Sequence, residues 1–348
     1  MITNDIYRNA LEKAITQIPL TEGRVMVTGA SGLIGSCLID MLMLANEFGK
    51  DFEVYAIGRS REKLSKRFKS FDGNPRLHFI EQDIRNPLNM DIEVDYIIHG
   101  ASNADPRNYA LYPVETMLIN LQGIINVLDY CKVHKSCRML LLSTFEVYGN
   151  NGNDEYAECD YGAVDINQVR SCYPESKRSA EILTRCYVQE YGVNASIARL
   201  CSIYGPTMAR DDSKAHAQFI RNALNHENIV LKSKGEQRRT YCYVIDAVTG
   251  LLSVIANGIS DEVYNISNED SIASIAEVAK TVAEIAGTKV VFNLPDEVEA
   301  RGFSKPQNCI LNNDKLLSLG WKGKYKLKDG LKETIDILTE DRQIVEKW

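Results

Sequence analysis

Tyr173 and Lys177 are four residues apart, a spacing that puts both side chains on one face of a helix. A phenol keeps its proton up to pH ~10, so Tyr173 can act as a base near neutrality only beside a cation that stabilises the phenolate. Lys177 is placed to be that cation. Upstream, the run Leu142-Ser143-Thr144-Phe145-Glu146-Val147-Tyr148-Gly149 carries a hydroxyl, Thr144, and a carboxylate, Glu146, at the end of an apolar stretch. A Tyr and Lys at this spacing arise about once by chance in such a chain, so the elements around them decide what the pair means.

Those elements begin with Arg24-Val25-Met26-Val27, a short apolar strand, followed at once by Thr28-Gly29-Ala30-Ser31-Gly32-Leu33-Ile34-Gly35. Leu38, Met41 and Leu42 then recur at helical spacing. In this strand, glycine turn and helix, Gly29 permits the turn, Gly32 lets backbone approach a pyrophosphate, and Gly35 lets helix and strand pack closely. The helix N-terminus supplies N–H groups to the anion. A second strand, Phe52 to Ile57, ends in Gly58-Arg59-Ser60-Arg61 with no carboxylate at its tip, and Glu53 sits too early to serve. A carboxylate there would hold the ribose 2′-hydroxyl of NAD, whereas Arg59 suits the 2′-phosphate of NADP, so the expected cofactor is NAD or NADP, leaning to NADP. Further strands, His78 to Ile80 and Tyr96 to Ile98, lead to Asp83-Ile84 and to the small-residue loop His99-Gly100-Ala101-Ser102.

From Arg24 to about Leu200, strands near residues 25, 53, 78, 96, 139 and 196 alternate with helices over 33–48, 112–134 and 174–191. This rhythm predicts an α/β fold, a Rossmann-type doubly wound parallel sheet with helices on both faces. Beyond Tyr204-Gly205-Pro206 the rhythm changes, to helices near 216–225, 246–257, 271–286 and 328–340 and strands at 229–231 and 241–244. A smaller C-terminal α/β substrate lobe is expected there. The division is a helical extension at 1–22, a dinucleotide-binding domain at 23–203, and a mainly substrate-binding domain at 204–348 with some segments packing back on the first.

A chain of 348 residues with 45% apolar content can bury a large core. It has no apolar run long enough to cross a membrane, and Met1-Ile2-Thr3-Asn4-Asp5 lacks the basic and apolar regions of a signal peptide, so the expected location is cytoplasmic. The nine cysteines form no CxxC pair and read as reduced thiols, and the five histidines show no ligand spacing, so no metal site is expected. A net charge of −7 argues against a nucleic-acid partner.

TGASGLIG at 28–35, STFEVYG at 143–149, SCYPESK at 171–177, ARLCSIYGP at 198–206, RRTYCYVIDA at 238–247 and YNIS at 264–267 stand in an order that resembles the extended short-chain dehydrogenase/reductases that modify nucleotide sugars. Within that NAD-dependent epimerase/dehydratase family, Tyr204-Gly205-Pro206-Thr207-Met208 before Asp211-Asp212, and Val169-Arg170-Ser171-Cys172-Tyr173, look most similar to UDP-glucuronate decarboxylases. The resemblance implies that Tyr173 takes the proton of a sugar C4 hydroxyl as hydride leaves for a tightly bound nicotinamide. Lys177 would lower the Tyr173 pKa and hold the nicotinamide ribose, and Thr144 would bond the reacting oxygen. A 4-ketone with a C6 carboxylate loses CO₂; with a C6 hydroxyl, removal of the C5 proton by Glu146 permits loss of water. The resemblance further implies cofactor contacts at Gly29, Ser31, Gly32, Leu33, Ile34, Gly35, Arg59, Asp83 and Ile84, and substrate contacts at Ser102, Phe145, Ser202, Arg239 and Arg301. It places Asn120 beside the site in a structural part, and it pairs the helices 112–134 and 174–191 of two copies into a homodimer.

Departures fall on the substrate side. Phe145 stands where decarboxylases carry Ser and dTDP-glucose dehydratases Asp, so a proton donor is lost. Ser202 and Thr207 replace the usual Asn and Arg, and Gly302-Phe303-Ser304-Lys305-Pro306 lacks an Arg pair expected to meet a uronate, leaving Arg301 as the nearest candidate. Beside decarboxylation, a 4,6-dehydratase, a 4-epimerase or reductase, and a non-catalytic nucleotide-sugar-binding protein stay open.

Overall fold

The computed structural model describes residues 1–293 and 307–346. In chain order the first elements are α1 (Asp5–Ile15), β1 (Glu22–Thr28), α2 (Leu33–Ala45), β2 (Asp51–Gly58), α3 (Arg61–Arg67), β3 (Leu77–Glu81) and β4 (Tyr96–His99). There follow α4 (Pro106–Leu111), α5 (Pro113–Val133), β5 (Arg138–Thr144), β6 (Glu155–Tyr156), α6 (Cys172–Tyr191), β7 (Asn194–Leu200) and β8 (Ser202–Tyr204). The remainder runs through α7 (Ala215–Leu224), β9 (Ile229–Leu231), β10 (Arg238–Tyr243), α8 (Val244–Asn257), β11 (Val263–Ile266) and β12 (Ile272–Ser274). It ends with α9 (Ile275–Ala286), β13 (Val290–Phe292), β14 (Ile310–Leu311), α10 (Asp314–Leu317) and α11 (Leu327–Glu346).

Seven strands form the central sheet in the order β11-β7-β5-β4-β1-β2-β3. Every pairing in it is parallel. Parallel strands buried on both faces must be apolar throughout, and β5 from Met139 to Leu142 and β1 from Val25 to Val27 are. The doubly wound sheet expected from the alternation is present, and β11 lengthens it on the β7 side. Chain beyond residue 204 therefore returns to the sheet, and α8 packs against α2. Smaller ladders, β12-β10-β8, β13-β9 and β14-β6, accompany the large sheet.

Three boundaries differ from the sequence reading. The helix expected over 112–134 is preceded by a separate one, α4, started by Asp105, whose carboxylate accepts from the Arg107 N–H, and by Pro106 in the first turn. The helix expected from 271 begins only at Ile275, because Ser274 and Glu277 form a capping box and residues 272–274 pair with β10. β10 begins at Arg238, so Arg239 lies inside the strand and not before it.

Beneath the carboxyl end of β5, Arg199 holds Glu181 with two nitrogens, at 2.8 and 3.1 Å, and Ser143 donates to the same carboxylate. Both charged side chains are nearly covered, at 13% and 7% exposure. Breaking such a pair strands a buried charge. Arg199→Ala is expected to cost about 3–5 kcal/mol, read as a lower urea midpoint with an unchanged slope; a midpoint equal to the parent's would show that the pair does not brace this end of the sheet.

Candidate active site

Strand order reverses between β1 and β4, and the loops leaving these strands part to open a cleft of about 450 Å³. Thr28, the last residue of β1, ties the two lips together. Its Oγ1 accepts the N–H groups of Gly100 and Ala101 at 3.1 and 3.2 Å and lies 2.8 Å from Nδ1 of His99. With two N–H groups donated to it, the hydroxyl gives its own proton to Nδ1, so His99 carries its hydrogen on Nε2. Burial, with the charge of Lys177, pushes His99 down to about 3, and the ring is neutral.

The glycine loop is built to the tolerance of backbone. Gly29 has φ +70°, and a Cβ on it would stand 2.7 Å from the carbonyl oxygen of Gly100. On Gly35 a Cβ would stand 2.5 Å from the Gly29 carbonyl oxygen. Gly32 caps α2 without a side-chain bond, so the first N–H groups of the helix, beside Leu33 and Ile34, face the cleft free of any side-chain partner at the cap. Thr207, a departure in the sequence, is buried and donates to the Leu33 carbonyl at 2.7 Å, anchoring this loop to the second lobe. The donors and the absent Cβ atoms fit a pyrophosphate.

A side chamber of about 220 Å³ continues from the loop and is lined by Ser31, Arg59, Asp83, Ile84 and Ile119. Arg59 sits at its exposed mouth, paired with Glu115 at 3.0 Å. The Asp83 carboxylate is held by Arg85 at 2.6 Å, which, with backbone donation from the same residue, keeps it below the usual carboxylate range.

In the main cleft, Thr144 ends β5 and Tyr173 sits in the first turn of α6, 5% exposed. Burial and the charge of Glu146 push the Tyr173 phenol up, while the hydroxyls of Thr144 and Tyr109 and the charge of Arg170 pull it down. Lys177, one turn on, is buried and donates to the Leu142 carbonyl at 2.9 Å. Burial lowers it to about 8, against a smaller opposing pull from Glu181. Asn120 bridges the lips from behind: it accepts from Ser102 at 2.8 Å and donates to Ser176 at 2.9 Å, whose hydroxyl bonds the Tyr173 carbonyl. It is structural, and Ser102, though it lines the cleft, is engaged by it.

The outer part holds Phe145, Glu146, Ser202 and Arg239. The guanidinium of Arg239 lies 5.7 Å above the Phe145 ring, and its Nε is buried with no hydrogen-bond partner among the described residues. Such an orphan donor beside a cleft asks for an anion. Glu146 is bound by Arg170 at 2.7 Å, and Tyr109 stacks on Tyr173 with centroids 4.4 Å apart. Arg301 lies outside the described residues. The sequence reading missed Tyr109, although Asp105-Pro106 is a helix-start signal, and it quoted Arg170 without giving it a part. No group of three or more potential metal ligands occurs among the described residues, and none of their helices is long and apolar enough to cross a membrane.

Lys177 binds its proton more weakly folded, at about 8, than unfolded, at 10.5. Its penalty is therefore full below pH 8, fades between the two values and is gone above 10.5. Lys177→Met is expected to abolish turnover yet raise stability at neutral pH by on the order of 2 kcal/mol, with the gain vanishing at high pH. Urea midpoints measured against pH would show this, and a variant that loses stability at neutral pH would contradict it.

Known proteins are similar to this chain in sequence and in fold. The UDP-glucuronic acid decarboxylase 6 of Arabidopsis thaliana is 37% identical over 88% of this chain and 86% of its own length. The UDP-glucuronic acid decarboxylase 1 of Xenopus tropicalis is 34% identical over 90% of this chain and 71% of its own. Among solved structures, the dTDP-glucose 4,6-dehydratase of Streptomyces venezuelae, with NAD bound, superposes with a TM-score of 0.78 at 24% identity, over 92% of this chain and 98% of that one. Residues 25–267, which span the glycine loop, the Thr144 strand, the Tyr173 helix and β11, match the NAD dependent epimerase/dehydratase family, and the chain belongs to it.

Proposed function

We propose that this protein oxidises the C4 hydroxyl of a nucleotide-linked uronic acid with a tightly bound nicotinamide dinucleotide and releases CO₂ from the resulting ketone. The observation that carries the reading is the meeting of Thr144, Tyr173 and buried Lys177 in the same cleft that the pyrophosphate cradle lines. When bound, the dinucleotide supplies the acceptor for the C4 hydride. Tyr173 takes the hydroxyl proton, and Thr144, whose hydroxyl lines the same cleft and lowers the phenol, steadies the same oxygen. Lys177, its ammonium fixed by the Leu142 carbonyl, holds the ribose. Arg239, whose Nε has no partner among the described residues, binds the nucleotide diphosphate.

A ketone β to a carboxylate loses CO₂ as the C–C bonding pair moves toward the C4 oxygen. Thr144 and Tyr173, now protonated, stand at that oxygen and stabilise the charge. The two decarboxylases at 34% and 37% identity support this outcome. Elimination of water from C5 and C6 is the second reading, favoured by Glu146, which lies in the cleft as a base for C5.

Around this core, residues 23–203 carry the dinucleotide and 204–348 mainly the substrate. Arg59, at the ribose end, leans the cofactor choice toward NADP. The protein is cytoplasmic, and it pairs as a homodimer through α5 and α6, whose Val114, Met117, Leu118 and Ile182 are exposed apolar side chains.

Incubation with UDP-glucuronate and a panel of other nucleotide sugars, with products read by mass spectrometry, tests the reading. The expected result is loss of CO₂ from a nucleotide uronate, and a Tyr173→Phe variant about 10³-fold slower. Glu146→Gln separates the lyases from an epimerase, which it would leave nearly intact. A Tyr173→Phe variant as active as the parent would sink the assignment of Tyr173 as the base, and a parent that turns over no nucleotide sugar would return the protein to non-catalytic binding.

A further inference from the structure

Arg170 lies in the short turn Val169–Ser171 just before α6, and its contacts tie together three groups that the reaction uses or adjoins. Its Nη1 holds the Glu146 carboxylate at 2.7 Å, and its guanidinium lies 5.3 Å from the centre of the Tyr109 ring. Tyr109, 2% exposed, in turn stacks nearly parallel on Tyr173, at 12° between ring planes. Arg170, Glu146, Tyr109 and Tyr173 all line one wall of the cleft.

A site that uses both a carboxylate and a phenolate faces an electrostatic conflict. An ionised Glu146 beside Tyr173 opposes loss of the phenol proton, and a carboxylate oxygen free to turn would accept that proton in a hydrogen bond and hold the phenol neutral. We propose that Arg170 is a positioning residue that acts through Glu146: it keeps the carboxylate turned onto itself and away from the phenol, so that both can be ionised in one cleft. The proposal rests on the reading of Tyr173 as the base for a sugar hydroxyl.

Among the described residues, the groups that face the phenol are few. Glu146 comes from the turn after β5, Arg170 from the turn before α6, Tyr109 from α4, and Thr144 from β5. Cys172 and Lys177 belong to the helix that carries the phenol. Asp105, which acts on Tyr109, is engaged by the N–H and hydroxyl of Ser213 at 2.7 and 2.8 Å. Of these, Glu146 is the one that raises the phenol most after burial itself, and it is the one that Arg170 grips. Arg170 remains 56% exposed at the mouth of the cleft, so its removal leaves no buried hole.

The test is the pH dependence of a single turnover, read as the near-ultraviolet absorbance of reduced nicotinamide when protein carrying oxidised cofactor meets UDP-glucuronate. Arg170→Ala is expected to move the pH of half-maximal reduction up by about one unit, and Arg170→Lys to restore most of the shift. In a Glu146→Gln background, Arg170→Ala is expected to move it little, since no carboxylate is left to turn. An equal shift in both backgrounds would overturn the proposal, because Arg170 would then act on the phenol directly. An unmoved profile with a raised KM would overturn it too, by making Arg170 a substrate ligand. A parent protein that reduces no nicotinamide with any nucleotide uronate would overturn the functional reading and this inference with it, whereas the other outcomes overturn this inference alone.

Discussion

Parallel strands whose order reverses must send their following connections to opposite faces of the sheet, and between β1 and β4 that leaves a crevice nothing local can close. Every feature of the site follows from this constraint. The loop after β1 bends sharply enough to need Gly29 at positive φ, the loop after β4 crosses it at backbone distance, and Thr28 bonds both. β5 delivers Thr144 beside them, and α6, packed on α5, lays Tyr173 and Lys177 over the opening. Chemistry is concentrated where the topology forbids a packed core.

Electrostatics set the second condition. Lys177 is almost fully buried, and an ammonium there is stable only because Leu142 accepts from it and Glu181 lies near. Glu181 must then be held in place itself, which Arg199 and Ser143 do. Arg199 also covers the ring of Tyr148 at 4.6 Å, so one chain of charges runs from Lys177 into the structural interior. The outer cleft repeats the pattern with Arg170 and Glu146, where an exposed guanidinium holds a largely covered carboxylate.

The inner half of the site was legible in the sequence because its parts are contiguous. A strand, three glycines and a helix lie within one short run, and Tyr173 and Lys177 within one turn. The parallel sheet followed from the alternation of apolar runs and helical patterns. In the outer half, Phe145, Glu146, Ser202 and Arg239 came from the family resemblance, whereas the contacts that hold them were not legible, because long-range packing decides those. Tyr109 reaches Tyr173 only because α4 ends its loop against α6, and the place of Arg239 within β10 depends on pairing with β8 and β12. Pairing of β11 beside β7 likewise comes from a segment far along the chain, which no local periodicity announces. Thr207 shows the same limit: it read as a lost basic residue, and in the fold it ties the glycine loop to the second lobe.

The central claim is that this cleft takes hydride from C4 of a nucleotide sugar. Its most direct measurement is a single turnover with UDP-glucuronate carrying deuterium at sugar C4, followed through the absorbance of reduced nicotinamide and the release of CO₂. The account predicts that reduction precedes CO₂ and is slowed by a primary isotope effect. Reduction at the same rate with hydrogen or deuterium at C4, or CO₂ released with no nicotinamide reduced, would contradict it.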